Sequence, residues 1–445
     1  MKIEEKIMEN KVSFWEETNF KNTEIGEIPK DWEVVKLGEL YSEVTKDRQV
    51  YLEDDKEYKQ VTVALYANGL RLRRVAFGRD IAVKKQYLIR TGDLIFSKID
   101  ARNGAYGFVN ECLDGAIVSG DFPILEMKGR SCDEYFLWYY LKIDKNWHKF
   151  RNLAIGTTNR KRIQPKEFMN NLFIPLPPLE EQKAIAYVLS TVQEAREKTE
   201  KVIEATKELK KSLMKHLFTY GPVSLEEASR INLKETEIGE IPKDWEVVKL
   251  GEVAELKIGR TPPRKEKESW ENGTFPWVSI SDMQQNRIIT CTRERITEYA
   301  LKKYFRDIAT AGTLLMSFKL TIGRTSILGI DAVHNEAIAS ILPTHDIDKI
   351  YLLYYLPTID FAKHFDKAIK GNTLNKDKMR DLPIPLPPLP VQKRIAEILQ
   401  TVDEKIQAEE KKKQALDNLF NSMLHMLMSG KLRVKFQTSE EGASG

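Results

Sequence analysis

The chain has 445 residues, of which 42% are hydrophobic and 31% are charged, and its formal net charge is +4. At roughly 150 residues per domain, this length predicts two to four domains that bury cores of their own. The three cysteines lie too far apart for a disulfide framework or a zinc site, and no long apolar run or leader pattern is present, so we expect a soluble cytoplasmic protein.

A seventeen-residue segment, TEIGEIPKDWEVVKLGE, stands at residues 23–39 and recurs unchanged at residues 236–252. In each copy the Ile-Pro step predicts a turn, and WEVVKL predicts a short strand. The polar residues 1–22 that precede the first copy predict an N-terminal arm, at most a short helix. A repeat of this length indicates that one structural frame occurs twice in the chain.

The segment that follows the first copy, residues 40–172, mixes strand and helix signals. GDLIFSKID at 92–100 predicts a strand after a Gly-Asp turn, and Ala116–Leu125 is a second strand candidate. The apolar, aromatic run YFLWYYL at 135–141 predicts a buried helix. A polar loop is predicted from Gly156 through Arg162.

The motif IPLPPL at residues 174–179 predicts an extended segment, because three prolines in six residues exclude a helix. A heptad pattern begins at Glu180 and predicts a helix that ends near Phe218, before Gly221 and Pro222. At 1.5 Å per residue this helix spans roughly 60 Å.

The same order of landmarks returns in the second half of the chain. GTLLMSF at 312–318 resembles GDLIFSK, YLLYYL at 351–356 resembles FLWYYL, and IPLPPL recurs at 384–389 before a second heptad helix that ends near Gly430. The loops between landmarks differ in length and sequence, and the final residues TSEEGASG predict a flexible tail. The frame is therefore duplicated, whereas the segments between its landmarks have diverged.

Each long helix has an apolar seam that needs a partner, and the other helix is the obvious one, in an antiparallel pair. A plain coiled-coil spacer between two unrelated domains is the alternative. The seam positions predicted to pack are Ile185, Leu189, Val192, Val202, Leu209 and Leu213 in the first helix, and Ile395, Leu399, Val402, Leu416, Leu419 and Met423 in the second.

The mild positive charge permits nucleic-acid binding without requiring it, and basic residues are numerous in the divergent segments. A dimer that reads DNA places identical modules on identical half-sites, whereas two fused and diverged modules could read an asymmetric, bipartite site. For any single basic residue a solvated surface charge is the simpler interpretation. The candidates for DNA binding are Arg71, Arg73, Arg74, Lys84, Lys85, Lys98, Arg102, Arg160, Lys161 and Arg162 in the first segment, and Arg260, Arg264, Arg287, Arg293, Lys319, Arg324, Lys376 and Lys378 in the second.

The combination of motifs resembles the specificity subunit of type I restriction–modification systems over essentially the whole chain. The resemblance rests on IGEIPKDWEVVKLGE, the GDLIFSK and GTLLMSF strands, the Gly-Thr turns before IPLPPLEEQK and IPLPPLPVQK, and the two heptad helices. It implies an α+β protein with two globular target-recognition domains, separated by two long antiparallel coiled-coil helices and related by a pseudo-two-fold internal duplication. It also implies double-stranded DNA and two methyltransferase subunits as partners, with restriction subunits added in the full complex.

The domain boundaries expected from these landmarks are an N-terminal arm at 1–22, recognition domains at 23–175 and 236–385, helical spacers at 176–219 and 386–430, a linker at 220–235 and a C-terminal tail at 431–445.

The sequence contains no catalytic motif that we recognise. None of the three Pro-Pro pairs has the Asn or Asp and the aromatic residue of an adenine-methyltransferase loop, and the sequence contains no P-loop. Asp93, Lys98 and Asp100 superficially resemble a nuclease cluster, but an alternating strand explains them better. We therefore expect no catalytic site, no cofactor and no metal. A self-sufficient DNA methyltransferase or nuclease with an unfamiliar site, and an adaptor without a nucleic-acid role, remain the alternatives.

Overall fold

A computed structural model describes residues 12–129, 131–143, 147, 150, 162–283, 288–319, 321–361 and 375–437. The chain divides into two compact units, one formed by residues 1–201 with 410–445 and the other by residues 202–409. Two long helices, α4 (Leu179–Tyr220) and α11 (Leu389–Met428), each contribute one half to each unit. Both helices have the bounds that the heptad pattern predicts, to within a few residues.

The first unit contains three short helices besides the long ones, and fifteen strands in its described part. The helices are α1 (Leu37–Leu40), α2 (Glu134–Leu141) and α3 (Pro165–Asn171). The strands are β1 (Val12–Glu16), β2 (Phe20–Thr23), β3 (Gly26–Pro29), β4 (Glu33–Lys36), β5 (Tyr41–Glu43), β6 (Gln49–Tyr51), β7 (Glu57–Val63), β8 (Leu70–Phe77), β9 (Lys85–Leu88), β10 (Leu94–Phe96), β11 (Tyr106–Phe108), β12 (Ile117–Val118), β13 (Ile124–Met127), β14 (Phe173–Leu176) and β27 (Leu432–Phe436).

The second unit has the same kind of mixed architecture. Its helices are α5 (Leu225–Ala228), α6 (Leu250–Val253), α7 (Lys267–Trp270), α8 (Glu298–Tyr304), α9 (Lys349–Tyr355) and α10 (Lys376–Arg380). Its strands are β15 (Leu233–Thr236), β16 (Gly239–Pro242), β17 (Glu246–Lys249), β18 (Ala254–Ile258), β19 (Phe275–Val278), β20 (Ile288–Ile289), β21 (Glu294–Ile296), β22 (Leu314–Ser317), β23 (Thr325–Leu328), β24 (Val333–His334), β25 (Ile338–Pro343) and β26 (Pro383–Leu386).

In both units the diverged segment forms two sheets; β11-β10-β13-β5 is antiparallel throughout, and each of the other three contains one parallel pair. The first unit has sheets of order β11-β10-β13-β5 and β6-β9-β12-β7-β8, and the second has β18-β25-β22-β23-β20 and β21-β19-β24. The predicted strands at 92–100 and 312–318 are confirmed as β10 and β22, and the predicted aromatic helices are confirmed as α2 and α9. The single strand predicted over Ala116–Leu125 is wrong, because β12 and β13 belong to different sheets and a turn separates them.

The duplicated segment and the proline motif pair with each other in each unit. β4 runs antiparallel to β14, with Val35 opposite Ile174, and β17 runs antiparallel to β26, with Val248 opposite Ile384. The proline-rich segments are therefore extended, as predicted. Since each pair lies immediately before a long helix, the repeat fixes where that helix leaves the sheet.

A buried glutamine at the start of each long helix joins the helix to the aromatic helix of its unit. The side-chain amide of Gln182 donates to the carbonyl of Pro177 and accepts from the backbone N–H of Asp133, each at 2.8 Å. Gln392 binds Pro387 and Asp348 in the same way. The two aspartates are the N-caps of α2 and α9. This shared network explains why glutamine follows the proline motif in both halves.

The two long helices pack antiparallel in each unit. In the first unit Arg196 of α4 pairs with Asp417 of α11, and Glu200 pairs with Lys413, so the partner number falls as the α4 number rises. In the second unit Lys210 pairs with Asp403. The predicted antiparallel coiled-coil pair is confirmed.

The predicted seam is only partly correct. Ile185, Leu189, Val192, Ile395, Leu399 and Leu416 are buried, and Leu213, Val402 and Met423 are half-buried. Val202, Leu209 and Leu419 are exposed, so their prediction as packing residues is wrong. Ile203 and Phe420 are buried in place of Val202 and Leu419, each one position later, and Thr206, three positions after Ile203, is buried too.

The two ends of the described chain meet in the first unit. β1 runs antiparallel to β27, with Val12 opposite Phe436, so the helix expected in the N-terminal arm is wrong for residues 12–16. Residues 432–436, predicted as part of a tail, are a strand whose Val434 is fully buried. Residues 438–445, which carry the predicted flexible tail, lie outside the described residues.

Arg433 fastens this terminal pair of strands to the unit. Its guanidinium contacts three carboxylates, those of Glu17 at 2.5 Å, Asp31 at 2.7 Å and Glu181 at 2.6 Å. Trp32 of the repeat donates its indole N–H to Glu181 at 3.2 Å. Because Arg433 and Glu181 are both buried, this cluster is part of the core.

Candidate nucleic-acid interface

A concentration of unneutralised positive charge lies on β8, the edge strand of its five-stranded sheet. Arg71, Arg73 and Arg74 are all exposed there. In the described part of the chain, Arg71 and Arg73 make no hydrogen bond or ion pair, and Arg74 contacts only neutral acceptors: Gln60 at 2.7 Å and the carbonyl of Asp80 at 3.4 Å. These three predicted residues are brought together.

The neighbouring basic residues of the same sheet are engaged differently. Lys84 pairs with Asp54 at 2.6 Å and also donates to the carbonyl of Gly78, so its charge is largely neutralised. Lys85 is exposed and lies over the ring of Tyr87, 5.9 Å from its centroid. Lys85 is therefore available to a phosphate, whereas Lys84 first has to leave a carboxylate.

A second basic group forms where two loops meet beside β10. Lys98 donates to the carbonyl of Gly120 at 2.8 Å, and Arg162 makes a two-pronged contact with Asp121 at 3.1 and 3.2 Å. The hydrogen bonds that Arg162 donates to Asp121 raise the pKa of Arg162 above its usual value. Arg102 lies on the turn between β10 and β11. Arg160 and Lys161 lie outside the described residues.

In the second unit, Arg264 is held by its own surroundings. Its guanidinium stacks 4.1 Å from the ring centroid of Trp270 and 4.8 Å from that of Trp277, and it makes a two-pronged contact with Glu294. The indole of Trp277 also donates to the carbonyl of Arg260 at 3.0 Å. Arg264 therefore holds the loop 259–264 in place.

The remaining candidates of the second unit are spread over several elements. Arg260 and Arg293 have exposed side chains, and Lys319 and Arg324 are half-buried. Nη1 of Arg324 is buried without a hydrogen-bond partner. On α10, Lys376 is exposed and Lys378 is half-buried, and Arg287 lies outside the described residues.

The carboxylates and lysine considered as a nuclease cluster are occupied with holding the backbone. Asp93 is buried, accepts from the N–H of Arg90 at 2.7 Å and lies 3.8 Å from Arg48, and its burial raises its pKa. His334 is buried too, bound to the hydroxyl of Ser340, and burial lowers its pKa to about 4. Over the described ranges, no group of three or more histidine, cysteine or carboxylate side chains could hold a metal ion.

Sequence reasoning missed several residues that shape these surfaces. Leu72 and Val75 are each half exposed on β8 beside the arginines, although large apolar residues are usually buried. Asp121, Glu294 and Asp54 neutralise particular basic residues, which no local pattern indicates because the partners are 30 to 41 positions apart. No helix among the described residues is long and apolar enough to cross a membrane.

The chain contains two copies of one α+β frame, and each copy is built on paired halves of the two long helices. Each copy also holds a diverged pair of sheets with basic surfaces. Together these features define a duplicated DNA-specificity architecture. The sequence matches the family described as type I restriction modification DNA specificity domain over residues 29–207 and again over residues 242–418. The chain belongs to this family.

Named type I specificity subunits are similar to this chain over nearly its whole length or over about half of it. The type I restriction enzyme MjaVIII specificity subunit of Methanocaldococcus jannaschii is 28% identical over 438 residues, covering 95% of this chain and 98% of the relative. The EcoR124I/EcoR124II specificity subunit of Escherichia coli is 25% identical over 240 residues, covering 52% of this chain and 55% of the relative.

Solved structures share the fold. The type I restriction-modification S subunit of M. genitalium has a TM-score of 0.54 at 15% identity, covering 89% of this chain and 96% of that chain. A chain from a study of complex assembly and conformational transition in a type I restriction-modification system has a TM-score of 0.52 at 21% identity, covering 91% and 99%. At these identities the similarity concerns the fold alone.

Proposed function

We propose that this chain is the non-catalytic DNA-specificity subunit of a type I restriction–modification complex. In this proposal each recognition domain, at residues 23–175 and 236–385, reads one half of a bipartite, asymmetric site in double-stranded DNA. One observation carries the proposal: the repeated segments of the two frames are identical, whereas the surfaces that the frames hold have diverged. Identical frames suit a shared role, whereas diverged basic surfaces suit two different half-sites.

In this proposal the helix pair sets the distance between the two half-sites. Half-sites on one face of the duplex lie about 34–36 Å apart, or a multiple of that distance. A helix of 42 residues, as α4 is, spans roughly 63 Å, which is sufficient to fix such a separation. The charged pairs Arg196–Asp417 and Lys210–Asp403 support a fixed register, because sliding by one turn would separate each cation from its carboxylate.

The shared frame, including both copies of the seventeen-residue repeat, is proposed to dock two methyltransferase subunits, to which restriction subunits add in the full complex. Identical surfaces cannot discriminate different half-sites, but they can bind two copies of the same partner. The methyltransferase would supply the catalytic site and the methyl donor, and this chain would supply position and sequence choice.

The test is the methylation pattern of DNA in cells that express the chain with its methyltransferase partner. We expect a split, asymmetric motif. Replacing residues 40–172 with the corresponding segment of a relative should change one half of the motif and leave the other half unchanged. Removing seven residues from both long helices should change the gap and not the half-sites. A change in both halves after the single exchange, or robust methylation by this chain alone, would contradict the proposal.

A further inference from the structure

β7 and β8 form one edge of the five-stranded sheet and are called the ribbon below; the outer strand, β8, is exposed in an unusual way. Every side chain from Arg71 to Val75 is exposed, although these residues lie in the middle of an eight-residue strand. An exposed edge strand invites pairing with other chains, and proteins commonly protect it with charges or with a bulge. This ribbon has three arginines in four positions, together with a bulge at the same place.

The bulge decides which way the arginines point. Gln60 lies opposite Arg74 and Val61 lies opposite Leu72, so Arg73 has no partner on β7. Without the bulge, residues 71 and 74 would face opposite sides of the sheet, because side chains alternate along a strand. With it, Arg71 opposite Thr62 and Arg74 opposite Gln60 share one face. β-bulges are frequently used to re-aim a side chain next to a functional site.

The end of the ribbon is anchored to the body of the first unit. In the connecting loop, Tyr66 and Ala67 adopt left-handed backbone conformations with φ of 59° and 51°. Their N–H groups donate to the carbonyls of Asn103 and Gly104, each at 2.8 Å. A conformation that costs of order 1–3 kcal/mol per residue persists only where its surroundings hold it. The ribbon is therefore presented in a fixed position.

The charge of the ribbon is not compensated. In the described part of the chain, no carboxylate pairs with Arg71, Arg73 or Arg74, whereas Arg79, in the turn that follows β8, pairs with Asp55 at 3.1 Å. If the arginines only protected the edge strand from pairing with other chains, arginines paired with carboxylates would do so equally well. Three uncompensated guanidinium groups on one rigid ribbon complement a polyanion.

We propose that the bulged edge strand β8 faces the major groove of one half-site, with Arg73 contacting a base and Arg71 and Arg74 contacting phosphates. This inference rests on the proposed function and deepens it. Because β8 is the outermost strand of its sheet, its long arginine side chains can reach into the groove, which is about 12 Å wide, while the rest of the sheet stays outside. The planar guanidinium group of arginine matches O6 and N7 of guanine, which is the commonest specific contact of direct readout.

The experiment uses the full chain in complex with its methyltransferase partner, and a library of DNA duplexes randomised at each position of the recognised site. The variants are R73Q, which removes the charge, and R73K, which keeps it but loses the fork. The matched control is R79Q, since Arg79 lies in the turn directly after β8 and is already paired with a carboxylate. Complex formation and melting temperature are measured for every variant.

We expect R73Q to lose discrimination at one base pair of one half-site by about 10-fold or more, with the other half-site unchanged. R73K should lose the same discrimination while its affinity for unrelated DNA stays within about threefold, because that affinity depends on charge. R79Q should behave as the wild type. Charge-preserving R73K keeps the inference testable even where R73Q does not fold.

Unchanged discrimination in R73Q or R73K would overturn the inference. Unchanged discrimination together with aggregation of R73Q would also overturn it, and would assign Arg73 to edge protection. A wild-type complex that recognises no split site would overturn the proposed function itself, and the ribbon assignment with it. Failure of the ribbon alone leaves a split wild-type motif, so the two failures are distinguishable.

Discussion

Replacing Arg433 with methionine should strongly destabilise the first unit. The side chain of Arg433 is 6% exposed, that of Glu181 is 7% exposed, and their atoms approach to 2.6 Å. Removing one partner of a buried ion pair costs about 3–5 kcal/mol, because the other charge stays buried without compensation. For a unit of this size each kcal/mol lowers Tm by about 2–4 °C, so we expect the transition of this unit to fall by roughly 6–20 °C.

Differential scanning calorimetry of the full chain measures this loss, and a second variant identifies its cause. R433M/E181Q removes the buried charge but keeps an oxygen that accepts the indole N–H of Trp32. It should therefore recover most of the stability lost in R433M. The control R394Q breaks the exposed pair Arg394–Glu397, and it should cost at most about 1 kcal/mol. If R433M melts within 2 °C of the wild type, or the double variant is no more stable than R433M, the reasoning is refuted.

The acid limb of the stability curve gives an independent readout of the same cluster. The hydrogen bond from Arg433 lowers the pKa of Asp31 below 3.8. A carboxylate with a lowered pKa contributes its full stabilisation above the unfolded pKa, and this contribution is lost as the pH falls through the folded pKa. The wild type should therefore lose stability below about pH 4 from this group, and R433M should not show that part of the loss.

Two further variants test buried polar groups that the frame and the second unit use. Q182L and Q392L each leave a buried N–H and a carbonyl unsatisfied, so each should lower the free energy of unfolding by about 2–4 kcal/mol. Hydrogen exchange should become faster at residues 131–137 in the first variant and at residues 346–352 in the second. Exchange that rises equally in both units would contradict this assignment. Burial lowers the pKa of His334 to about 4, against 6.5 in the unfolded chain. The second unit should therefore lose up to about 3 kcal/mol of stability as the pH falls from 6.5 to 4. Urea titrations at both pH values should show no such loss in H334Q.

The shared frame could be predicted from the sequence because each landmark has the same physical task in both halves. The proline motif reads as extended, the heptads read as helices and the aromatic runs read as buried helices, since each depends on local pattern. Gln182 and Gln392 stand out by recurrence alone, and their common network supplies the reason. Recurrence within one chain thus gave information that a single copy would not have given.

Features that depend on distant pairing could not be predicted. Val12 and Phe436 pair across almost the whole chain, and nothing in either segment indicates the other. The seam phase failed for a different reason. Val202 and Leu209 are apolar and attracted the prediction, but the structure places Ile203 and the paired Lys210 toward the partner helix. A lysine at a seam position can be predicted to face the partner helix only when the carboxylate that it pairs with across the seam is known.

Sequence identity of the two frames does not make the two units equivalent. Trp32 and Trp245 are the same residue of the repeat, but Trp32 donates to a buried Glu181, and the residue that corresponds to Glu181 in α11 is Val391. The first unit is closed by the terminal strands and Arg433, whereas the second unit continues from α4 through α5 into its repeat. A partner that binds both frames therefore meets the same repeat in two different settings. For this reason we expect the two docking sites for the proposed methyltransferase to differ in affinity, and not to behave as copies of one site.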